Sequence, residues 1–469
     1  MKTGSKSKVK VSPNNIGRVV ELLSVKVDDR CADQFAKLEE ALYLGRLDEA
    51  EQLIKELPKD GLSSKAIAVR ALLVGDYKYQ RGQYGEAETE FQAARYLFIS
   101  PYAADSFGEA RTWLGSSLVA RRRNDFQQAI DLARKALEIT GAHPRKEKFT
   151  CLNAIALFNL GGLLELQGDL KGAEESLSAA VKTLRDVEGL RYYALALNSL
   201  SLVQIYRGKY KAAISTLKAT EELAQSETIL DEVLWLRYNN ALALMRLKKY
   251  QEARAALTEL LDVVRKSAND PREPLILQLL GEIAFEQKNF GDAMSNIDTS
   301  LELASSWGND YLLCEGLVLK GRLLAKRNQH NAQNYLQRAY QIASSMNDGR
   351  HQAEAALLLA SIISLSNPDK AMQYLSTGSS LVKFHPDIRL IEMQRQVEKE
   401  LKGANIIVDE NQFLIRTSNL PTWRDAKHAV EMFLLRAALN QTDHSVTKSA
   451  KLLKVSKATV TEKRKEYHL

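Results

Sequence analysis

The sequence predicts an all-α protein: an α-solenoid of about nine stacked helix pairs, followed by a small C-terminal helix-turn-helix unit. Three observations carry this. Breakers are scarce, with 9 Pro and 24 Gly in 469 residues. A short pattern around an alanine recurs at a period near 40, the mark of stacked supersecondary units. The chain closes on SVTKSAKLLKVSKATVTEKRKEYHL, which reads as two short helices joined by a tight turn.

Composition sets the class. The chain is 45% hydrophobic and 26% charged, the balance of a globular protein. Net charge is +7, and between Val446 and Leu469 seven basic residues face two acidic ones. A local excess of this kind points to a polyanionic partner. Cys31, Cys151 and Cys314 are odd in number and far apart, with no CxxC. They read as reduced, helix-buried thiols of a cytoplasmic protein.

Residues 1–32 form a basic polar tail and lead-in, without the apolar core of a signal peptide. No apolar run is expected to reach the ~18 residues that span a bilayer. Residues 33–380 carry the repeats, seen in GQYGEAETEFQAA (82–94), GDLKGAEESLSAA (168–180), GKYKAAISTLKAT (208–220) and KKYQEARAALTEL (248–260). The anchors are Ala50, Ala87, Ala129, Ala173, Ala213, Ala253, Ala293, Ala332 and Ala371. One helix of each pair supplies small residues such as Gly75, Gly161 and Gly281. The next supplies the anchor and, one turn on, a bulky residue such as Phe91, Leu177 or Ile297. Neither helix can bury its apolar face alone, so pairs must stack.

These units resemble tetratricopeptide repeats, down to an early Trp in the third, Trp113. Their period exceeds the usual 34 or so. Ser117, Ser201, Ala241 and Lys320 stand where the family has glycine. The resemblance implies a concave face lined by the first helix of each pair. On its register Asn159, Asn198 and Asn239 fall at or beside groove positions, with Phe158, Trp235 and Tyr238 next to them. Asn can donate to and accept from the backbone of an extended peptide, so a peptide or protein groove around repeats four to six is one reading. The other is that these Asn are solvated or satisfy helix ends. Arg121, Arg122 and Arg123 end a first helix, where the helix dipole favours cations; the other reading is a contact with nucleic acid or an acidic partner.

Residues 381–403 read as a capping helix. Residues 404–422 break the pattern, IIVD and QFLI suggesting a short hairpin. A helix over 423–440 follows, with Met432, Phe433, Leu435 and Leu439 as its apolar stripe. A second helix spans 446–453 with Ala450, Leu452 and Leu453 inward, and a third starts at Lys457 with Ser456 as N-cap. The pattern AxxLLxVSxxTVxxKxKEYxL over 424–469 resembles the Fis-type DNA-binding domain that ends many bacterial enhancer-binding activators. By that resemblance Thr447 and Lys448 touch phosphates, and Ser456, Lys457, Thr459 and Lys463 contact DNA. Lys457, Thr459 and Thr461 stand at the start of the second helix of the motif, where side chains reach base edges. The helix at 423–440 would build a homodimer. Lys454 replaces the turn glycine and must take a left-handed backbone.

Catalytic signatures are missing: no GxxxxGK[ST], no HExxH or close metal pair among seven His, no GxSxG. No enzyme activity, cofactor or metal is expected, and no membrane association. The combined reading is a cytoplasmic, nucleoid-associating bacterial regulator: the array senses a peptide or protein and the tail binds double-stranded DNA. The rivals are an adaptor whose tail docks or dimerises without DNA, and a regulator that sequesters another DNA-binding protein.

Overall fold

The computed structural model describes residues 20–27, 31–58, 60–143, 147–186, 190–218, 230–267, 270–327, 331–364, 366–402, 405–408, 413–416 and 423–467. They form helices throughout, apart from one two-stranded hairpin. The chain divides into two compact units, residues 1–308 with 384–388, and residues 309–383 with 389–469.

In the first unit seven helix pairs follow one another: α1 (Ala32–Tyr43) and α2 (Leu47–Glu56), α3 (Ser64–Gln80) and α4 (Tyr84–Ile99), α5 (Ser106–Arg122) and α6 (Phe126–Gly141), α7 (Glu147–Leu166) and α8 (Leu170–Asp186), α9 (Leu190–Tyr206) and α10 (Tyr210–Leu217), α11 (Leu230–Arg246) and α12 (Tyr250–Val264), α13 (Arg272–Glu286) and α14 (Phe290–Ser306). All seven anchors, from Ala50 to Ala293, are fully buried. The small-residue positions work as expected. A Cβ on Gly75 would lie 2.7 Å from Phe91, one on Gly161 2.6 Å from Leu177, and one on Gly281 2.8 Å from Ile297. Where Ser117 replaces glycine, its hydroxyl donates to the carbonyl of the anchor Ala129 at 2.7 Å, so the close crossing survives with a hydrogen bond in it. Gly168 turns α7 into α8 at φ +85°, and a side chain there would collide with the Phe384 carbonyl.

By length and hydropathy α7 could cross a bilayer, contrary to the expectation from sequence, yet 61% of its apolar window is buried within the protein. Its Phe149, Leu152, Ile155, Leu160 and Leu163 fill the core between neighbouring helices. Its apolar residues are those of a core helix packed between neighbours.

The second unit continues with α15 (Asp310–Ala325) and α16 (Ala332–Ser345), then α17 (Gly349–Ile363) and α18 (Pro368–Val382), with Ala332 and Ala371 buried in their turn. Here the glycine against the bulky residue is Gly321, whose Cβ would meet Leu336 at 2.5 Å. Lys320 is one residue off that register and lies over the Tyr335 ring instead. The helix α19 (Ile388–Lys402) closes the repeats, Leu390 and Val397 packing on Leu357 and Leu375. A buried carboxylate ties three helices: Glu354 sits 3.5 Å from Arg322 and 2.6 Å from Arg389. Burial works against its charge, but Arg389 and Arg322 outweigh it and hold the carboxyl below its usual range.

Strands β1 (Asn405–Val408) and β2 (Phe413–Arg416) pair antiparallel, Ile406 opposite Ile415, as the two apolar runs suggested. Three helices follow, α20 (Trp423–Gln441), α21 (Val446–Leu453) and α22 (Lys457–Glu466). Leu435, Leu439, Ala450, Val460 and Tyr467 form their shared core, with Met432, Val446 and Leu453 against it. Leu452, expected inward, is 51% exposed.

Candidate functional site

The inner helices α1, α3, α5, α7 and α9 of the first unit enclose a cavity of about 510 Å³. That size falls in the range of small-ligand sites. Its lining mixes apolar side chains, among them Leu114, Leu152, Ile155 and Phe158, with ionic ones. Arg111 is the centre of the ionic set. Its Nη1 donates to Glu39 at 2.8 Å and to the Leu23 carbonyl at 2.7 Å, and its Nη2 donates to Asp76 at 2.7 Å. Burial pushes the Asp76 carboxyl up to about 6; Arg111 opposes the rise and Glu39 adds to it. Burial also raises the Tyr192 phenol, keeping it neutral. Arg191 donates to Glu232 at 3.0 Å and to the Tyr43 carbonyl at 2.7 Å.

Of the groove residues expected from sequence, Phe158 and Asn159 line this cavity, and Asn198, Trp235, Tyr238 and Asn239 do not. The amides are also less open than expected. Asn159 is 3% exposed and donates to Ser117 Oγ at 2.9 Å. Asn239 is 4% exposed and donates to Asn198 Oδ1 at 2.7 Å. Both spend their donors on the preceding first helix, bridging repeats. Tyr238 is 8% exposed and meets Trp235 edge-on, with the Arg272 guanidinium 5.6 Å from the Trp235 ring. The enclosed part of the inner face thus lies in repeats one to five. Glu39, Asp76, Arg111, Arg191 and Tyr192 were missed by reading the sequence. The available signal was charge on first helices beside their small residues, as with Asp76 after Gly75.

In the tail, Ser445 caps α21 and Ser456 caps α22, accepting from the Lys448 and Thr459 amides. Thr459 Oγ1 lies 2.8 Å from Ser456 Oγ, and Thr461 Oγ1 donates to the Lys457 carbonyl. Lys454 takes φ 53°, ψ 41°, the left-handed turn expected of it. Lys463 is already paired, 3.0 Å from Glu431 and 2.9 Å from Glu466. The Tyr467 hydroxyl donates to the same Glu431 at 2.8 Å, so Lys463 and Tyr467 clamp α22 to α20. Hydrogen bonds to Glu466 and Glu431 raise the Lys463 ammonium pKa, keeping it charged. Thr447, Lys448, Lys451, Lys454, Lys457 and Lys465 are exposed. Among the described residues none of these five lysines has a carboxylate at ion-pair distance. The stripe assigned to dimerisation is largely consumed: Leu435 and Leu439 are 4% and 2% exposed within the tail's own core, leaving Leu434 outward at 48%.

Among the described residues, no group of three or more His, Cys, Asp or Glu could hold a metal ion. All three cysteines are buried and free, and burial raises the Cys151 and Cys314 thiols to about 12.

A tetratricopeptide-repeat family model matches residues 68–141 and 232–306. No curated protein sequence matches this chain. Among solved structures, the apo form of RapI superposes with TM-score 0.58 at 14% identity, covering 79% of this chain and 99% of RapI. The apo form of the quorum sensor NprR from B. thuringiensis gives 0.54 at 16%, covering 78% and 98%. A Rap protein complexed with Competence and Sporulation Factor gives 0.52 at 14%, covering 79% and 98%. At these identities the likeness is one of fold: the repeats form a tetratricopeptide-like solenoid.

Proposed function

We propose that this chain is a ligand-responsive transcription regulator: the repeat array binds a short peptide on its inner face, and the three-helix tail binds duplex DNA. The observation that carries the proposal is the set of five exposed lysines without a carboxylate at ion-pair distance on α21, its turn and α22, two short helices joined by a tight turn. Each lysine set against a phosphate releases counterions, so affinity is gained at low salt. Lys457, Thr459 and Thr461 open α22, where a recognition helix meets base edges. The Fis-type resemblance of residues 424–469 supports the same reading, with Thr447, Lys448 and Ser456 on the backbone. Lys463 serves the clamp on α20.

The peptide half rests on the cavity, whose lining combines apolar side chains with ionic groups that could orient a ligand. Two structural neighbours bear on it: one is named a quorum sensor, and another was solved with Competence and Sporulation Factor. The reading assigns no catalysis to the chain and places it in the cytoplasm, with residues 33–380 as sensor and 423–469 as output. Pairing of two chains through α20 belongs to the proposal, with Leu434 as its outward apolar side chain. A docking role for the tail is favoured by the exposure of Leu452 and Val455, at 51% and 43%. Titrating the full chain against a labelled duplex, wild type beside Lys457→Ala, tests the DNA half: binding weakened by the substitution supports it, and no binding at low salt refutes it.

A further inference from the structure

Three arginines in sequence end α5, and the structure treats them differently. Arg122 and Arg123 are exposed; Arg122 donates to the Tyr79 hydroxyl at 3.2 Å, and Arg123 to the Tyr84 carbonyl at 3.4 Å. Arg121 is half-buried and, like Arg122, lines the cavity. Among the described residues it has no hydrogen-bond acceptor and no carboxylate within ion-pair distance. The helix dipole accounts for a cation at this end of α5, and the two outer arginines already supply it. It does not account for half-burying the innermost one with no partner. The contrast with Arg111 in the same lining is direct, since that guanidinium is held by two carboxylates and a carbonyl.

Burial presses against the charged form of Arg121. A partly desolvated guanidinium with no carboxylate in ion-pair contact is costly, and a bound anion would offset that cost. Gly162 on α7 leaves room beside it: a Cβ there would stand 3.6 Å from Nη1. The cavity therefore offers one planar cation that no described residue pairs.

We propose that Arg121 anchors a carboxylate of the peptide ligand, the chain terminus or an Asp or Glu side chain. This rests on the peptide reading of the cavity and specifies its chemistry. A single free guanidinium with its planar fork suits a carboxylate, which it can grip through two parallel hydrogen bonds. A phosphate, with more charge and three acceptor oxygens, would need further donors; Arg111 and Arg191 are held by carboxylates, and Arg122 gives its Nε to Tyr79.

The test uses the full-length protein and two randomised hexapeptide libraries, one with free C-terminal carboxylates and one with C-terminal amides. Peptides retained through gel filtration are identified by mass spectrometry. Enrichment of free-acid peptides about tenfold over amides supports a chain-terminal anchor. Amides enriched in Asp or Glu support a side-chain anchor. In either case Arg121→Gln should abolish the enrichment and Arg121→Lys retain part of it. The acid-against-amide comparison on wild type stands even if a variant folds poorly. Peptides retained with no preference for any carboxylate overturn the anchor and leave the peptide reading standing. No retention from either library overturns both.

Discussion

Replacing Asp76 by Asn should make the protein more stable at neutral and alkaline pH, although the substitution removes an ion pair. Asp76 lies 2.7 Å from Arg111, which suggests a stabilising salt bridge. Burial beats that attraction and lifts the carboxyl from 3.8 to about 6. The native state therefore keeps a proton that the unfolded chain has already released. Between about pH 4 and pH 6 the native state binds more protons, so stability falls as pH rises through that window. Above it the cost is fully present, at most about 3 kcal/mol at 1.36 kcal/mol per unit and less because the Asp76 side chain is 28% exposed. Asn mimics the protonated carboxyl, and Arg111 keeps Glu39 as a partner at 2.8 Å. Urea unfolding of full-length wild type and Asp76→Asn, followed by circular dichroism at pH 8 and pH 5, measures the difference. The variant should be the more stable at pH 8, by up to that amount, with the gap about halved at pH 5. A variant less stable than wild type at pH 8 would show that Arg111 outweighs the burial, and the cavity would not be the desolvating environment described.

Other consequences follow from single contacts. Lys454→Gly should stabilise the tail by about 1 kcal/mol or less, because lysine holds a left-handed backbone there; an unchanged melting transition would refute this. Lys463→Ala should lower tail stability by releasing Glu431 and Glu466, whereas Lys457→Ala should leave melting unchanged and weaken DNA binding. Equal loss of affinity with equal melting in both variants would contradict that division. Glu354→Ala should cost about 3–5 kcal/mol by stripping the buried carboxylate from Arg322 and Arg389, and calorimetry showing under 1 kcal/mol would refute the role of this hub.

The parts of the fold legible in the sequence are those specified locally. The alanine anchors announce themselves because each sits at one fixed distance from a turn and from a bulky residue, and all nine are buried. The hairpin was visible as two apolar runs, and the tail helices as caps and a left-handed turn. Lys320 was placed one residue from the true crossing, Gly321, because the pattern degenerates in that repeat. Partner identity was not legible. The apolar side of α20 could face a second chain or its own module, and only the positions of Ala450, Val460 and Tyr467 assign Leu435 and Leu439 to the module. Asn159 looked like a groove donor because its acceptor, Ser117, lies 42 residues earlier. The ionic set was hidden for the same reason: Glu39, Asp76 and Arg111 come from three repeats and meet only through superhelical stacking.

The central claim is that the tail is an output addressed to DNA. Fluorescence anisotropy of a labelled genomic-fragment duplex, titrated with the full-length protein from 50 to 200 mM salt, tests it most directly. With five exposed lysines free to meet phosphates, log Kobs should fall against log salt with a slope of about −4 to −5 for each bound tail. A flat dependence, or no binding at 50 mM, would contradict the account and leave the tail a docking module.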